Sequence, residues 1–101
     1  MQPLTPETQR RLEILFAPEQ REAARVKLET DCANNLPFCE KLDPVGLERI
    51  RFAVLKLSAG GLANLAREIA QAQCDWRDTL MAAGFGHDVN AHQRWFPEPP
   101  G

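Results

Sequence analysis

Apolar residues along this 101-residue chain recur every three to four positions, the spacing that places side chains on one face of a helix. No run of alternating apolar and polar residues is convincing enough to predict a strand, and the chain has no Tyr. Several segments instead carry their own helix start or stop signals. The pattern therefore predicts an all-α fold made of five or six short helices.

The first two predicted helices meet at a proline. Thr5 precedes Pro6 and Glu7, an order that provides an N-cap, a proline in the first turn and an acid near the positive end of the helix dipole. Pro18 disfavours helix at the residue before it, so a second helix is expected from there to about Ala33. This second helix is rich in Glu, Arg and Ala, and we expect it on the surface.

A central helix is predicted at about 44–58, where Asp43 and Pro44 repeat the start signal. Its apolar residues form one broad face and a second, opposite face. The broad face contains Leu47, Ile50, Ala53, Val54 and Leu57, and the opposite face contains Phe52 and Leu55. A helix that is apolar on two faces is usually buried between neighbours. We therefore expect a compact orthogonal bundle arranged around this helix.

Polar and loop residues are expected to complete the cover of the central helix. Arg49, Arg51 and Lys56 lie between its apolar faces, so that their aliphatic stems can cover apolar surface while their charges reach water. The loop before the helix contains Leu36 and Phe38, and we expect both side chains to pack onto the core.

A further apolar stripe follows the glycine pair at 60–61 and predicts a fourth helix. Asp75, with Asp78 three residues on, resembles a capping box and favours a new helix starting there, although the stripe could also run straight through. Gly84 is expected to end this part with a glycine C-cap. Asp88 is expected to start a last short helix that contains His92 and Trp95.

Composition limits the range of functions. The chain has 44% hydrophobic and 26% charged residues, as in ordinary soluble domains, and we expect a single helical domain over 1–101 with a short Pro-rich tail at about 97–101. No apolar run reaches the roughly 18 residues of a membrane-spanning helix. The formal net charge of −2 disfavours a dedicated nucleic-acid-binding domain, because such domains are usually basic.

The cysteine content favours a reducing compartment. Cys32, Cys39 and Cys74 make an odd number, unlike the even disulfide framework of a small secreted domain. The first residues do not form a basic region followed by an apolar core, so we expect no signal peptide. These features predict a cytoplasmic protein with reduced thiols, in which each cysteine acts as a small buried apolar residue.

Neither a metal site nor catalysis is indicated. The residues that could ligate a metal ion are Cys32, Cys39, Cys74, His87 and His92, and their spacing differs from the closely paired ligands of structural zinc sites. The two histidines are expected to be exposed or to cap a helix. No nucleophile elbow, glycine-rich phosphate loop or zinc-protease helix occurs. We therefore expect no enzymatic activity and no cofactor.

Residues 65–80 resemble the helix–turn–helix of bacterial repressors, and this resemblance implies a DNA-binding regulator that uses the helices at about 62–83. In that family the turn contains a Gly, a buried aliphatic residue and a small polar cap, whereas this chain has Cys74, Asp75 and Trp76 there. The implied recognition helix has one basic residue, Arg77, beside acidic neighbours. DNA binding is therefore the alternative function.

The last quarter of the chain resembles the C-terminal part of a group of small bacterial all-α proteins. The residues that carry the resemblance are Asp75-Trp76-Arg77-Asp78, Ala82-Ala83-Gly84-Phe85, Ala91-His92 and Trp95. The resemblance implies a bacterial, cytosolic protein. It implies no particular activity and assigns no functional residue.

The remaining hypothesis is binding to another protein or self-association, without a small-molecule substrate. Trp95, Phe96 and Arg77 are the candidate partner-binding residues, because Trp and Arg are enriched at the energetic centres of interfaces. Trp95 is either the last part of the core or an exposed anchor for the partner. We therefore expect a small non-catalytic module for protein–protein interaction or regulation.

Overall fold

Residues 3–32, 44–88 and 91–97 are described by a computed structural model. Five helices lie within these ranges, which contain no strand, and the predicted all-α bundle is confirmed. The helices are α1 (Pro6–Leu15), α2 (Pro18–Asp31), α3 (Pro44–Ser58), α4 (Leu62–Ala83) and α5 (Ala91–Arg94). None of these described helices is long and apolar enough to cross a membrane.

Helices α1 and α2 begin at the residues where the sequence carries their predicted start signals. The hydroxyl oxygen of Thr5 accepts a hydrogen bond from the amide of Thr8 at 3.2 Å, and α1 begins at the next residue, Pro6. Helix α2 begins at Pro18, as expected, and ends at Asp31. The side chain of Arg21 closes the elbow between the two helices, because its Nε donates to carbonyl oxygens at the end of α1.

Helix α3 lies at the centre of the bundle and packs against α1, α4 and α5. Side chains from both of its predicted apolar faces are buried. The buried apolar residues of this helix are Leu47, Ile50, Phe52, Ala53, Val54 and Leu55, while Leu57 is partly buried against them. The prediction of a central helix with two buried faces is confirmed.

The prediction for the charged residues of α3 is wrong at Arg51. This side chain is only 2% exposed, and its guanidinium donates to the carbonyl oxygens of Pro3, Leu28 and Cys32. The last carbonyls of a helix have no partner within the helix, and a basic group there is favoured by the helix dipole. Arg51 therefore caps the end of α2 from inside the bundle instead of reaching water.

The other two basic residues of α3 bind the segment at the end of α4. Lys56 is exposed, as expected, and its Nζ donates to the carbonyl of Ala83 at 2.7 Å. Arg49 is partly buried and donates to the carbonyl of Phe85. These two bonds hold the chain against α3 just after α4 ends.

Helix α4 combines both alternatives that the sequence left open. It continues from Leu62 to Ala83, but Asp75 has non-helical backbone angles (φ −153°, ψ 91°) and kinks it. The Asp75 carboxylate accepts from the amides of Arg77 and Asp78 at 3.1 and 3.3 Å, as an N-cap does. Gly84 ends α4 in the left-handed conformation, as predicted.

The last short helix contains His92, as expected, but not Trp95, and residues 89–90, which follow the predicted start at Asp88, lie outside the described residues. Helix α5 starts at Ala91, whose amide donates to the carbonyl of Asp88, and Trp95 lies one residue beyond its end. The predictions for Ala33, Leu36, Phe38, Asp43 and residues 98–101 lie outside the described residues.

Candidate protein-interaction site

The segment that follows α5 brings two of the three predicted interaction residues together. Trp95 is half-buried, and its ring centroid lies 6.1 Å from that of Phe52 and 6.2 Å from that of Phe85. Phe96, the next residue, is 47% exposed. Trp95 therefore anchors this segment to the core, while Phe96 presents its ring at the surface.

Arg11 of α1 holds this segment in place. Its Nε donates to the carbonyl of Trp95 at 3.1 Å, and its Nη1 donates to the carbonyl and the carboxylate of Glu7. The guanidinium carbon lies 4.3 Å from the centre of the Phe52 ring and 4.8 Å from the centre of the Phe96 ring. The cation is therefore sandwiched between a core ring and a surface ring, an arrangement that is favourable for Arg.

Sequence reasoning did not identify Arg11 as a site residue. The available signal was the spacing of Glu7 and Arg11, because an acid four residues before a base forms a helix-surface ion pair. That spacing does not predict the contact between Arg11 and Trp95, because Trp95 lies 84 residues further along the chain. We call the surface formed by Arg11, Trp95 and Phe96 the Phe96 surface.

A cavity of about 190 Å³ opens beside the Phe96 surface. The side chains that line it come from α1, α3 and α5, and they are Glu7, Arg11, Glu48, Phe52 and Gln93. Glu48 is partly buried and accepts a 2.6 Å hydrogen bond from the hydroxyl of Thr5. We call this space the Arg11 cavity, since Arg11 joins it to the Phe96 surface.

The third predicted residue, Arg77, lies on a different element. It is exposed on α4, with its guanidinium carbon 5.2 Å from the centre of the Trp76 ring. Trp76 is partly buried against the core. The described contacts of Arg77 therefore place it with Trp76 and not with the Phe96 surface.

The cysteines differ in environment. Cys32 is buried, as expected, and burial raises the pKa of its thiol to about 12, so that the thiol is protonated at neutral pH. Cys74 is exposed, so the expectation of burial is wrong there, because the residue lies off the apolar stripe of α4. Cys39 lies outside the described residues.

The histidines differ as well. His87 is exposed, as expected, but His92 is fully buried, which contradicts the expectation for this residue. The His92 ring packs edge-on between Phe52 and Phe85, at centroid distances of 5.3 and 6.4 Å, and so contributes to the aromatic core below Trp95. In residues 3–32, 44–88 and 91–97, no three His, Cys, Asp or Glu side chains are grouped as metal ligands.

The region of the helix–turn–helix resemblance is one kinked helix in which Asp75 alone departs from helical angles. A helix–turn–helix joins its two helices through a turn of roughly three or four residues. The part after the kink carries Arg77 as its basic residue, between Asp75 and Asp78. This geometry adds nothing in favour of DNA binding, which stays a prediction.

Comparison with family models, with curated proteins and with solved structures found no match to this chain. The resemblance of the C-terminal quarter to small bacterial proteins therefore stays a prediction.

Proposed function

We propose that this chain is a non-catalytic bacterial module that binds another protein through the Phe96 surface. The observation that carries the proposal is an aromatic ring, 47% exposed, that lies on the guanidinium of a buried arginine. Aromatic and Arg side chains supply much of the energy of protein interfaces, particularly where they are surrounded by other well-packed groups.

Preorganisation of this surface supports the proposal. Trp95 is packed on core rings, and Arg11 is bonded both to Trp95 and to Glu7 of its own helix. A binding residue that is already held in place loses less conformational entropy when a partner arrives. The neighbours of Phe96 are therefore suited to position its ring for contact.

The test is a quantitative capture experiment from cytosol of the source organism with three immobilised proteins. Wild type is compared with Phe96→Ala and with Met81→Ala, a matched control in which another exposed apolar side chain, 51% accessible on α4, is removed. We expect a protein that wild type and Met81→Ala retain equally and that Phe96→Ala retains at least about tenfold less. Equal retention by all three would contradict the proposal.

Native mass spectrometry of the gently purified wild-type protein distinguishes the two classes of partner. A mass that is an integer multiple of the 11.4 kDa chain identifies further copies of the chain as the partner, and any other mass above 11.4 kDa identifies a different protein. Phe96→Ala should shift either assembly toward the free chain, whereas Met81→Ala should leave it unchanged.

A further inference from the structure

Arg11 presents a hydrogen-bond donor to the cavity that it lines. Its side chain is only 5% exposed, and its Nε and Nη1 atoms are engaged by Trp95 and Glu7. Among the described residues, Nη2 has no hydrogen-bond acceptor. A guanidinium carries five N–H donors, so Nη2 of Arg11 can donate to an acceptor that enters the cavity. The Arg11 cavity therefore contains a donor that is suited to a carbonyl oxygen.

Glu48 presents the complementary acceptor. One carboxylate oxygen accepts from Thr5, while the second has no hydrogen-bond partner in the described part of the chain. None of the described basic side chains forms an ion pair with Glu48. A carboxylate can accept several hydrogen bonds, so this second oxygen can accept an N–H from a molecule in the cavity.

The charges around the cavity are largely balanced by the protein itself. The Arg11 cation is paired with Glu7 at 3.0 Å. Burial lowers the pKa of Arg51, and the negative charge of Glu48 is one of those that oppose this shift, so Glu48 already lies in the field of a buried cation. The charged side chains of the lining are two carboxylates and one guanidinium, and the field of Arg51 partly offsets the remaining negative charge of Glu48.

We infer that the Arg11 cavity receives the side-chain carboxamide of an Asn or Gln from the protein partner. The carboxamide oxygen accepts from Nη2 of Arg11, and the carboxamide NH₂ donates to Glu48. A lysine would bring a cation against Arg11, a carboxylate would bring an anion against Glu7 and Glu48, and an apolar side chain would leave both groups unpaired. This inference rests on the proposed function and specifies its partner.

The Phe96 surface adds a second requirement for the partner segment. Because Arg11 contacts both the Phe96 ring and the cavity, one short segment can reach both places. The partner segment thus combines an apolar residue, which packs on Phe96, with a neighbouring Asn or Gln.

Four blocked dipeptides test the inference on the intact protein. The probes are acetyl-Leu-Xaa-amides in which Xaa is Gln, Glu, Lys or Met, and binding is followed by the amide chemical shifts of ¹⁵N-labelled protein. We expect the Gln peptide to shift the signals of Arg11, Glu48 and Gln93. We also expect the affinity of the Gln peptide to be at least about threefold higher than that of the Glu, Lys or Met peptide, a ratio typical of one additional hydrogen bond.

A pair of variants tests whether Glu48 is responsible for the preference for the Gln peptide. Glu48→Met should abolish the preference for Gln, while Glu13→Met, the same change at an exposed position of α1, should retain it. Phe96→Ala should weaken all four peptides alike. A preference for Lys or Glu, an equal response to all four, or no shift at the cavity would overturn the inference. None of these results changes the capture experiment with Phe96→Ala, which decides the proposed function independently.

Discussion

Two arginines of this protein lie almost wholly inside the fold, and both are held by main-chain oxygen atoms. Arg11 donates to carbonyls of Glu7 and Trp95, and Arg51 donates to carbonyls of Pro3, Leu28 and Cys32. A buried charge is tolerated only where such hydrogen bonds replace its water. Arg11 thereby links the segment after α5 to α1, and Arg51 links the residues before α1 to the end of α2.

The first prediction concerns Arg51. Replacement by Met retains much of the volume but leaves the buried carbonyls of Leu28 and Cys32 without this donor, and we expect the free energy of unfolding to fall by about 2–3 kcal/mol. Urea unfolding followed by circular dichroism measures the change. Arg67→Met is the control, because Arg67 is exposed and contacts two side chains of its own helix, Asn64 and Glu68, so its loss should cost less than about 0.5 kcal/mol. Similar losses in both variants would contradict this account.

The second prediction concerns alkaline pH. Burial raises the pKa of Cys32 from 9.0 to about 12, so the folded state keeps a proton that the unfolded state releases. This contribution to stability is complete below pH 9 and is lost as pH rises toward 12. While the unfolded thiol is ionised and the folded thiol is not, the loss is about 1.4 kcal/mol per pH unit.

Cys32→Ala should remove this slope from the pH dependence of unfolding, and Cys74→Ala, at an exposed position, is the control. The measurement is urea unfolding between pH 7.5 and 10.5. The chain has no Tyr, so no phenol titrates in this range, and the comparison of Cys32→Ala with wild type isolates the contribution of Cys32. An unchanged slope in Cys32→Ala would show that the thiol does not carry the effect.

At the level of elements, the turn between α3 and α4 is tightly constrained. Ala59 has a positive φ of 52°, and Gly60 has a φ of 84° with Leu15 so close that an added Cβ would lie 2.6 Å from its carbonyl oxygen. A left-handed conformation costs a residue with a Cβ roughly 1–2 kcal/mol. The turn thus contains one residue that is strained and one at which only glycine fits.

The third prediction follows from this contrast. Ala59 is exposed, so Ala59→Gly removes no packing and should raise the free energy of unfolding by about 0.5–1 kcal/mol after the added entropy of the unfolded chain. Gly60→Ala should lower it by about 1–3 kcal/mol. Thermal unfolding of both variants shows whether each substitution raises or lowers the stability. A loss in Ala59→Gly would mean that its backbone angles are not a source of strain.

The elements were largely predictable because their signals are local. Thr5 with Pro6 starts α1, Pro18 starts α2, and Gly84 ends α4, each within one or two residues of the signal. The two-faced apolar pattern likewise identified α3 as central. The kink at Asp75 was harder to foresee, since a capping side chain and a continuous apolar stripe give opposite indications.

The site was less predictable because it depends on the whole molecule. Arg11 meets Trp95 across 84 residues, and Arg51 meets Pro3 across 48. Residue type identified Trp95 and Phe96 as candidates. Only the packing of the segment after α5 on α1 and α3 shows that Trp95 anchors this segment and that Phe96 is exposed. The same packing explains why His92, near the end of the chain, is a core residue.

The last prediction separates the two aromatic residues of the terminal segment at the scale of the whole molecule. Trp95→Ala removes a half-buried ring that contacts Phe52 and Phe85, and we expect it to lower the free energy of unfolding by about 2–3 kcal/mol. Phe96→Ala removes an exposed ring and should cost about 1 kcal/mol or less, chiefly through its contact with Arg11.

Urea unfolding of the two variants, run beside the capture experiment, distinguishes anchoring from binding. If the terminal segment works as described, Trp95→Ala weakens both the fold and partner retention, whereas Phe96→Ala weakens retention far more than the fold. Equal destabilisation by the two changes would make Phe96 a structural residue like Trp95. The exposed ring would then have to be understood as the outer edge of the core, held there by Arg11.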